Sequence, residues 1–175
     1  MHSINPVRVA IVGLGNCASS LVQGVDFYRT GADAQGFMIA RIGPYSVSDI
    51  EFVLGIDIDL RKVGRDISEA VLAPPNNTKL FHPQLAQTGV EVIMGCTLDG
   101  VAPHMTGAGE RGFAVADLAE PTHAEIVEAL VQSRTDVLVN FLPVGSYRAT
   151  EFYMECALDA GVAVVNCIPV FIASD

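Results

Sequence analysis

The stretch Val7–Ser20, VRVAIVGLGNCASS, constrains this chain more than any other. Val7 to Val12 is an apolar run rich in β-branched residues and reads as a buried parallel strand, and helical spacing begins a few residues later. Between them lie Gly13, Leu14, Gly15, Asn16, Cys17 and Ala18. A glycine at 13 lets the backbone turn tightly. A glycine at 15 lets it come within contact distance of a pyrophosphate, where a Cβ would intrude. Ala18 takes the third glycine place, which only sets how closely helix packs on strand. The helix that follows would aim its free N–H groups and positive dipole end at the phosphates. The flanking strand and helix point to dinucleotide binding, and the plainer alternative is a glycine turn used only for packing.

A chain of 175 residues is long enough for one domain with a real core, and residues 1–175 read as a single dinucleotide-binding domain. Half of the residues are hydrophobic and 17% are charged, which fits a buried parallel sheet. Ten Lys and Arg against twenty Asp and Glu give a net charge of −10, which argues against nucleic acid or an anionic membrane as a partner. Cys17, Cys96, Cys156 and Cys167 form no CxxC pair, so neither a zinc site nor a disulfide framework is expected and a reducing, cytoplasmic setting is the default. The N-terminus carries no basic n-region ahead of its short apolar run, and the apolar stretch from Val162 to Ala173 is broken by Asn166 and Pro169. Neither a signal peptide nor a membrane span is expected.

Along the chain, the first helix should run to about Gly31, and residues 30–50 read as an insertion with its own short element near Gly36–Ile42. A second strand, Glu51–Ile58, ends at Asp57, whose carboxylate would accept hydrogen bonds from the adenosine ribose and repel a 2′-phosphate. The acid usually lies about twenty residues past the glycines, and the insertion doubles that distance. Arg61 and Lys62 leave NADP open, and Asp57 would alternatively cap a helix over Leu60–Val71. A third strand, Val90–Gly95, leads to Thr97 and Asp99, which are either site residues or parts of a turn closed by Gly100. Residues 101–120 are glycine-rich and read as a mobile loop, either a cover for a site or a plain long loop.

Thr122 and Glu125 form a capping box for the next helix. Asp136–Leu142 is a fourth strand running into Pro143-Val144-Gly145-Ser146, where Ser146 would cap a helix over Tyr147–Ala160. Asn140 is polar in an apolar strand and needs a partner, either cofactor or backbone. A fifth strand, Val162–Ile168, precedes the apolar Pro169–Ala173, surface that needs something to pack against, so the chain reads as unfinished. The fold class is therefore α/β, a Rossmann-like doubly wound and mainly parallel sheet, incomplete because the chain stops after its fifth strand.

No metal is expected, because His2, His82, His104 and His123 lack metal spacing. Cys17 sits at a helix start beneath the pyrophosphate, where a small packing residue fits better than a nucleophile. No GxSxG elbow or GxxxxGK[ST] loop is present, and Lys62 and Lys79 have no obvious base beside them.

The stretches VRVAIVGLGNCASSLVQGV, VSDIEFVLGIDIDLRKVG, APPNNT, CTLDG, DVLVNFLPVGS and DAGVAVVNCIPVFIASD together resemble the prokaryotic type of myo-inositol-1-phosphate synthase, also called inositol-3-phosphate synthase. The resemblance runs across nearly the whole chain, least closely at residues 101–116. It implies an NAD-dependent enzyme that converts D-glucose 6-phosphate to 1D-myo-inositol 3-phosphate by internal oxidation, aldol cyclisation and reduction, with the cofactor regenerated in each turnover. It further implies that Gly13, Gly15, Asn16 and Cys17 meet the pyrophosphate and Asp57, with Ile58, the adenosine side. Thr97 belongs to the same crevice. Asn140, Leu142, Pro143, Gly145 and Ser146 would flank the nicotinamide, and Asn166 would sit beside the reacting centre. The family's catalytic lysines would lie beyond Asp175, in a missing domain that also forms a homo-oligomer, leaving no catalytic residue within this chain and this part alone inactive. An ordinary NAD(P)-dependent dehydrogenase domain and a non-catalytic NAD-binding module are the alternatives.

Overall fold

The computed structural model describes residues 5–31, 36–102, 105–106 and 112–172. Five parallel strands form one sheet: β1 (Val7–Val12), β2 (Ile50–Asp57), β3 (Val92–Met94), β4 (Val137–Asn140) and β5 (Ala163–Asn166). Their order across the sheet is β3-β2-β1-β4-β5. The helices are α1 (Asn16–Arg29), the single turn α2 (Ile67–Ala70), α3 (His123–Gln132) and α4 (Tyr147–Asp159).

Strand alternation builds the two cores. In β1, Val9 and Ile11 face α1 and α2 with Leu14, Val22, Val25, Ile67 and Val92. Ala10 and Val12 face the other way, onto α3 and α4, with Leu54, Ile56, Ile126, Leu130 and Leu138. Both faces of the central strand are thus dry, which is why its sequence reads as an unbroken apolar run rather than as an alternation. The α/β doubly wound expectation holds, and all five strands fall where the sequence puts them: β1 keeps its expected bounds and the other four are shorter or shifted at their ends.

Three expectations change. The helix expected over Leu60–Val71 is only the four residues of α2. The chain after β2 pairs instead with the strand coming in: the Gly64 and Ile67 amides donate to the Val92 and Val90 carbonyls, and the Val92 amide donates to Arg65. That lacing also takes Val90 and Glu91 out of β3. In the insertion, the short element lies later than expected, as an Ile42–Tyr45 bridge followed by a 3-10 turn at Val47–Asp49 capped by Ser46. Of the loop read as a mobile cover, the described stretch 112–116 is tied to the end of β2, with the Leu60 amide on the Ala114 carbonyl at 2.7 Å and the Ala116 amide on the Ile58 carbonyl at 2.8 Å. His2, His104 and residues 173–175 lie outside the described residues. Near the end of the chain Phe171 is 83% exposed.

Candidate functional site

The C-terminal ends of β1, β2 and β4 converge because those strands are neighbours, and the segments leaving all five strands line a cavity of about 430 Å³. This is the crevice outside the carboxyl ends of a doubly wound sheet, where such folds bind ligands.

The two glycines of the first loop serve different ends. Gly13 has φ +85°, and a Cβ there would lie 2.7 Å from the Phe141 carbonyl oxygen, so the β1 turn passes against the backbone leaving β4. At Gly15 an added Cβ would meet no protein atom within 4 Å. The protein itself does not need a glycine at 15; the open space beside it does, because a Cβ would project into the cavity. Helix α1 then starts with no side-chain cap and no acidic residue in its first turn, leaving its N-terminal amides and positive dipole end for an outside anion.

Asp57 closes the other side and is 7% exposed. Its Oδ2 accepts the Leu14 amide at 2.7 Å, and its Oδ1 accepts the amides of Ile58 and Asp59 at 2.8 and 2.9 Å. Oδ1 has both lone pairs engaged by these two amides, whereas Oδ2, with one amide, keeps a lone pair for a hydroxyl from the cavity. Asp57 does not cap a helix; α2 is capped by Asp66, which accepts the Ser68 amide. Arg61 forks onto Asp59 at 2.7 and 2.6 Å and reaches the Gly112 carbonyl, while Lys62 is buried with its Nζ on the Leu14 carbonyl at 2.5 Å. Both cations are engaged inside the protein, which removes the sequence reason for keeping NADP open.

Of the residues singled out from sequence, Gly13, Gly15, Asn16, Cys17, Asp57, Ile58, Thr97, Leu142 and Pro143 line the cavity. Asn140, Gly145, Ser146 and Asn166 are not among its lining residues. The Asn140 amide donates to Asn166 Oδ1 at 3.0 Å and to Thr150 Oγ1 at 3.3 Å, and its oxygen accepts the Leu142 amide at 3.0 Å. Asn166 in turn donates to the carbonyls of Ile168 and Val170. The partner that Asn140 needs is therefore protein, and the pair shapes the loops rather than touching the cavity. Ser146 does not cap α4 through its side chain; its hydroxyl donates to the Pro143 carbonyl at 2.7 Å. The cap comes from Asp99, whose carboxylate accepts the Arg148 and Ala149 amides at 2.9 Å each. Burial raises the Asp99 pKa, but these hydrogen bonds outweigh it and hold the carboxyl below its usual range.

Sequence reasoning passed over Tyr153, Phe113, Phe141 and the loop at Pro75–Asn77, all on the cavity wall. Tyr153 lies on the buried face of α4, its hydroxyl accepting the Cys96 amide at 2.7 Å. A Cβ at Gly95 would come within 2.5 Å of that hydroxyl, so Gly95 makes room for it. A tyrosine on an apolar helix face, needing a buried partner, was the available signal. The Pro75–Asn77 loop docks on the start of α1, with the Asn77 amide on Asn16 Oδ1 at 2.8 Å. Burial pushes the Cys96 thiol up to about 11 and Cys156 to about 12, so neither is a ready nucleophile. Among the described residues no cluster of His, Cys, Asp or Glu is placed to hold a metal, and no helix is long and apolar enough to cross a membrane.

The residues present fit a dinucleotide on two observations. Gly15 opens onto the cavity with no protein atom where its side chain would go, and Thr97 Oγ1, on the cavity wall, is buried without a hydrogen-bond partner among the described residues.

No family model matches this chain. Over 172 residues, 97% of its length, it is 49% identical to a Mycobacterium tuberculosis protein named inositol-3-phosphate synthase, and equally to one of that name from Mycolicibacterium smegmatis. A Corynebacterium glutamicum protein of the same name is 46% identical over 99% of the chain. The chain spans only 45–46% of the length of these relatives. Among solved structures, a myo-inositol-1-phosphate synthase-related protein from Thermotoga maritima superposes with a TM-score of 0.76 at 26% identity, covering 97% of this chain and 50% of that one. The protein Ari2 superposes with a TM-score of 0.79 at 36% identity, over 96% and 47%. The resemblance stated from the sequence motifs is borne out.

Proposed function

We propose that this chain, homologous along nearly its whole length to inositol-3-phosphate synthases, is the N-terminal, NAD-holding part of such an enzyme, acting on D-glucose 6-phosphate. The observation that carries this reading is the identity of 46–49% over 97–99% of the chain, glycine turn and strand ends included. NAD, when bound, supplies a hydride acceptor that becomes the donor later in the same turnover.

The chain's own residues hold and orient that cofactor. Gly15 and the start of α1 receive the pyrophosphate, with the open space at Gly15 and the uncapped helix end as support. Asp57 accepts an adenosine ribose hydroxyl with the lone pair that its backbone contacts leave on Oδ2, and its negative charge opposes a 2′-phosphate. Thr97, also on the cavity wall, offers a hydroxyl that has no partner among the described residues. Leu142, Pro143 and Tyr153 form an apolar nicotinamide side that excludes water. The groups that move protons on the sugar lie elsewhere in the full enzyme, a cytoplasmic homo-oligomer of inositol biosynthesis, and this part alone is inactive.

The test is turnover of glucose 6-phosphate by the full-length enzyme with NAD far below substrate. Complete conversion to an inositol phosphate, with no net change in nicotinamide absorbance, is the expected result. Stoichiometric accumulation of NADH would overturn the reading in favour of an ordinary dehydrogenase.

A further inference from the structure

Lys62 is a buried cation that the proposed cofactor contacts do not use. It is 1% exposed, and its Nζ donates to the Leu14 carbonyl at 2.5 Å. The amide of the same residue, Leu14, donates to Asp57 Oδ2 at 2.7 Å. Both polar groups of the residue between the two turn glycines are therefore held by the end of β2 and the segment that follows it. Leu14 itself is fully buried, so its side chain anchors the same point from the apolar side.

The charges explain why a lysine is tolerated there. Asp57 and Asp59 are buried beside it, and Arg61 neutralises Asp59 through a two-pronged contact. Asp57 is left as the carboxylate that Lys62 balances. A buried ammonium needs a hydrogen bond and nearby negative charge, and here it has the Leu14 carbonyl as acceptor and Asp57 and Asp59 as neighbouring charges. Burial lowers the Lys62 pKa, and Asp57 followed by Asp59 opposes that fall.

We infer that Lys62 is a positioning residue for the glycine turn: with Asp57 it clamps the Leu14 residue, which orients the Gly15 backbone toward a bound pyrophosphate. This rests on the dinucleotide reading of the cavity. The clamp also places one positive charge beneath the turn, where it favours an anion, whereas an adenosine without phosphates would not sense it.

The experiment compares the enzyme with Lys62→Met, which removes donor and charge, and Lys62→Gln, which keeps a donor without the charge. Titrations use NAD, ADP and adenosine. Lys62→Met is expected to weaken NAD and ADP by about tenfold or more while adenosine stays within about twofold. NAD affinity of the unaltered protein should fall at high pH as the ammonium loses its proton, and that fall should vanish in Lys62→Gln. Equal weakening of all three ligands, or NAD affinity unchanged with the alkaline fall retained, would overturn the inference. Failure of the unaltered protein to bind any of the three would defeat the dinucleotide reading instead. The clamp is then decided by amide hydrogen exchange: faster exchange confined to Leu14–Asn16 in Lys62→Gln upholds it, and unchanged exchange there removes it. Should Lys62→Met not fold, Lys62→Gln carries both measurements.

Discussion

At Gly13 and Gly15 the same residue type answers to two different demands, and substitution separates them. Gly13 combines a positive φ with a Cβ position 2.7 Å from the Phe141 carbonyl oxygen, so Gly13→Ala sets strain against backbone that cannot withdraw cheaply. It is expected to lower stability by about 1–3 kcal/mol or more, read from urea unfolding. Gly15 has φ −86°, an ordinary conformation for any residue, and open space where its side chain would go. Gly15→Val is therefore expected to unfold at nearly the urea concentration of the unaltered protein yet to lose NAD affinity by about tenfold or more in calorimetry. A stable Gly15→Val that still binds NAD would mean that the cavity beside α1 is not the pyrophosphate site. The Gly-x-Gly motif was legible as a unit, but this division of labour was not, because it depends on Phe141, far off in sequence.

Helix starts show the same boundary between what is local and what is not. The Thr122–Glu125 capping box was readable because both partners lie within one turn, and the structure has it: the Thr122 amide donates to Glu125 Oε2 at 2.7 Å and the Glu125 amide to Thr122 Oγ1 at 3.3 Å. The cap of α4 was not readable, because Asp99 reaches the Arg148 and Ala149 amides from 49 and 50 residues away, and the adjacent Ser146 made a plausible but wrong candidate. Asp99→Ala is expected to cost about 0.5–2 kcal/mol, and Asp99→Asn less, in thermal or urea unfolding. At α2, Asp66 caps the turn and also accepts the Thr88 amide and hydroxyl and the Gly89 amide. Burial raises its pKa, but the hydrogen bonds from Ser68 and Thr88 outweigh that and bring it down to about 2, against an unperturbed 3.8. A carboxyl with a depressed folded-state pKa stabilises the fold above its unfolded pKa and loses that contribution as pH falls through the folded one. The Asp66 share of stability should therefore be complete above about pH 4 and vanish toward about pH 2. In Asp66→Asn that segment of the stability–pH curve should flatten; a curve as steep as before would assign the acid sensitivity to other carboxylates.

Over the whole molecule, the order β3-β2-β1-β4-β5 assembles the site, and it brings together residues that the sequence could only name singly. Gly13 and Gly15 follow β1, Asp57 ends β2, Thr97 follows β3, Leu142 and Pro143 follow β4, and Cys167 to Pro169 follow β5, so one crevice collects all five strand ends. Strand periodicity and the glycine fingerprint were enough to anticipate that convergence. They could not tell which polar residues face the cavity and which brace it, since Asn140 and Asn166 satisfy each other one strand apart while Thr97 Oγ1 has no partner among the described residues. This arrangement makes a prediction about cofactor choice. A ligand that binds only the folded state raises stability by about 2.7 kcal/mol at a hundred times its dissociation constant, which corresponds to a rise in melting temperature of roughly 5–10 °C for a chain of this size. NAD is expected to give such a shift. NADP at the same concentration should give little, because its 2′-phosphate would meet Asp57 while Arg61 is forked onto Asp59 and Lys62 is buried on Leu14. Equal shifts from the two nucleotides would show that Arg61 leaves Asp59 to meet the extra phosphate, and Arg61→Ala should then abolish the NADP shift while leaving that of NAD intact.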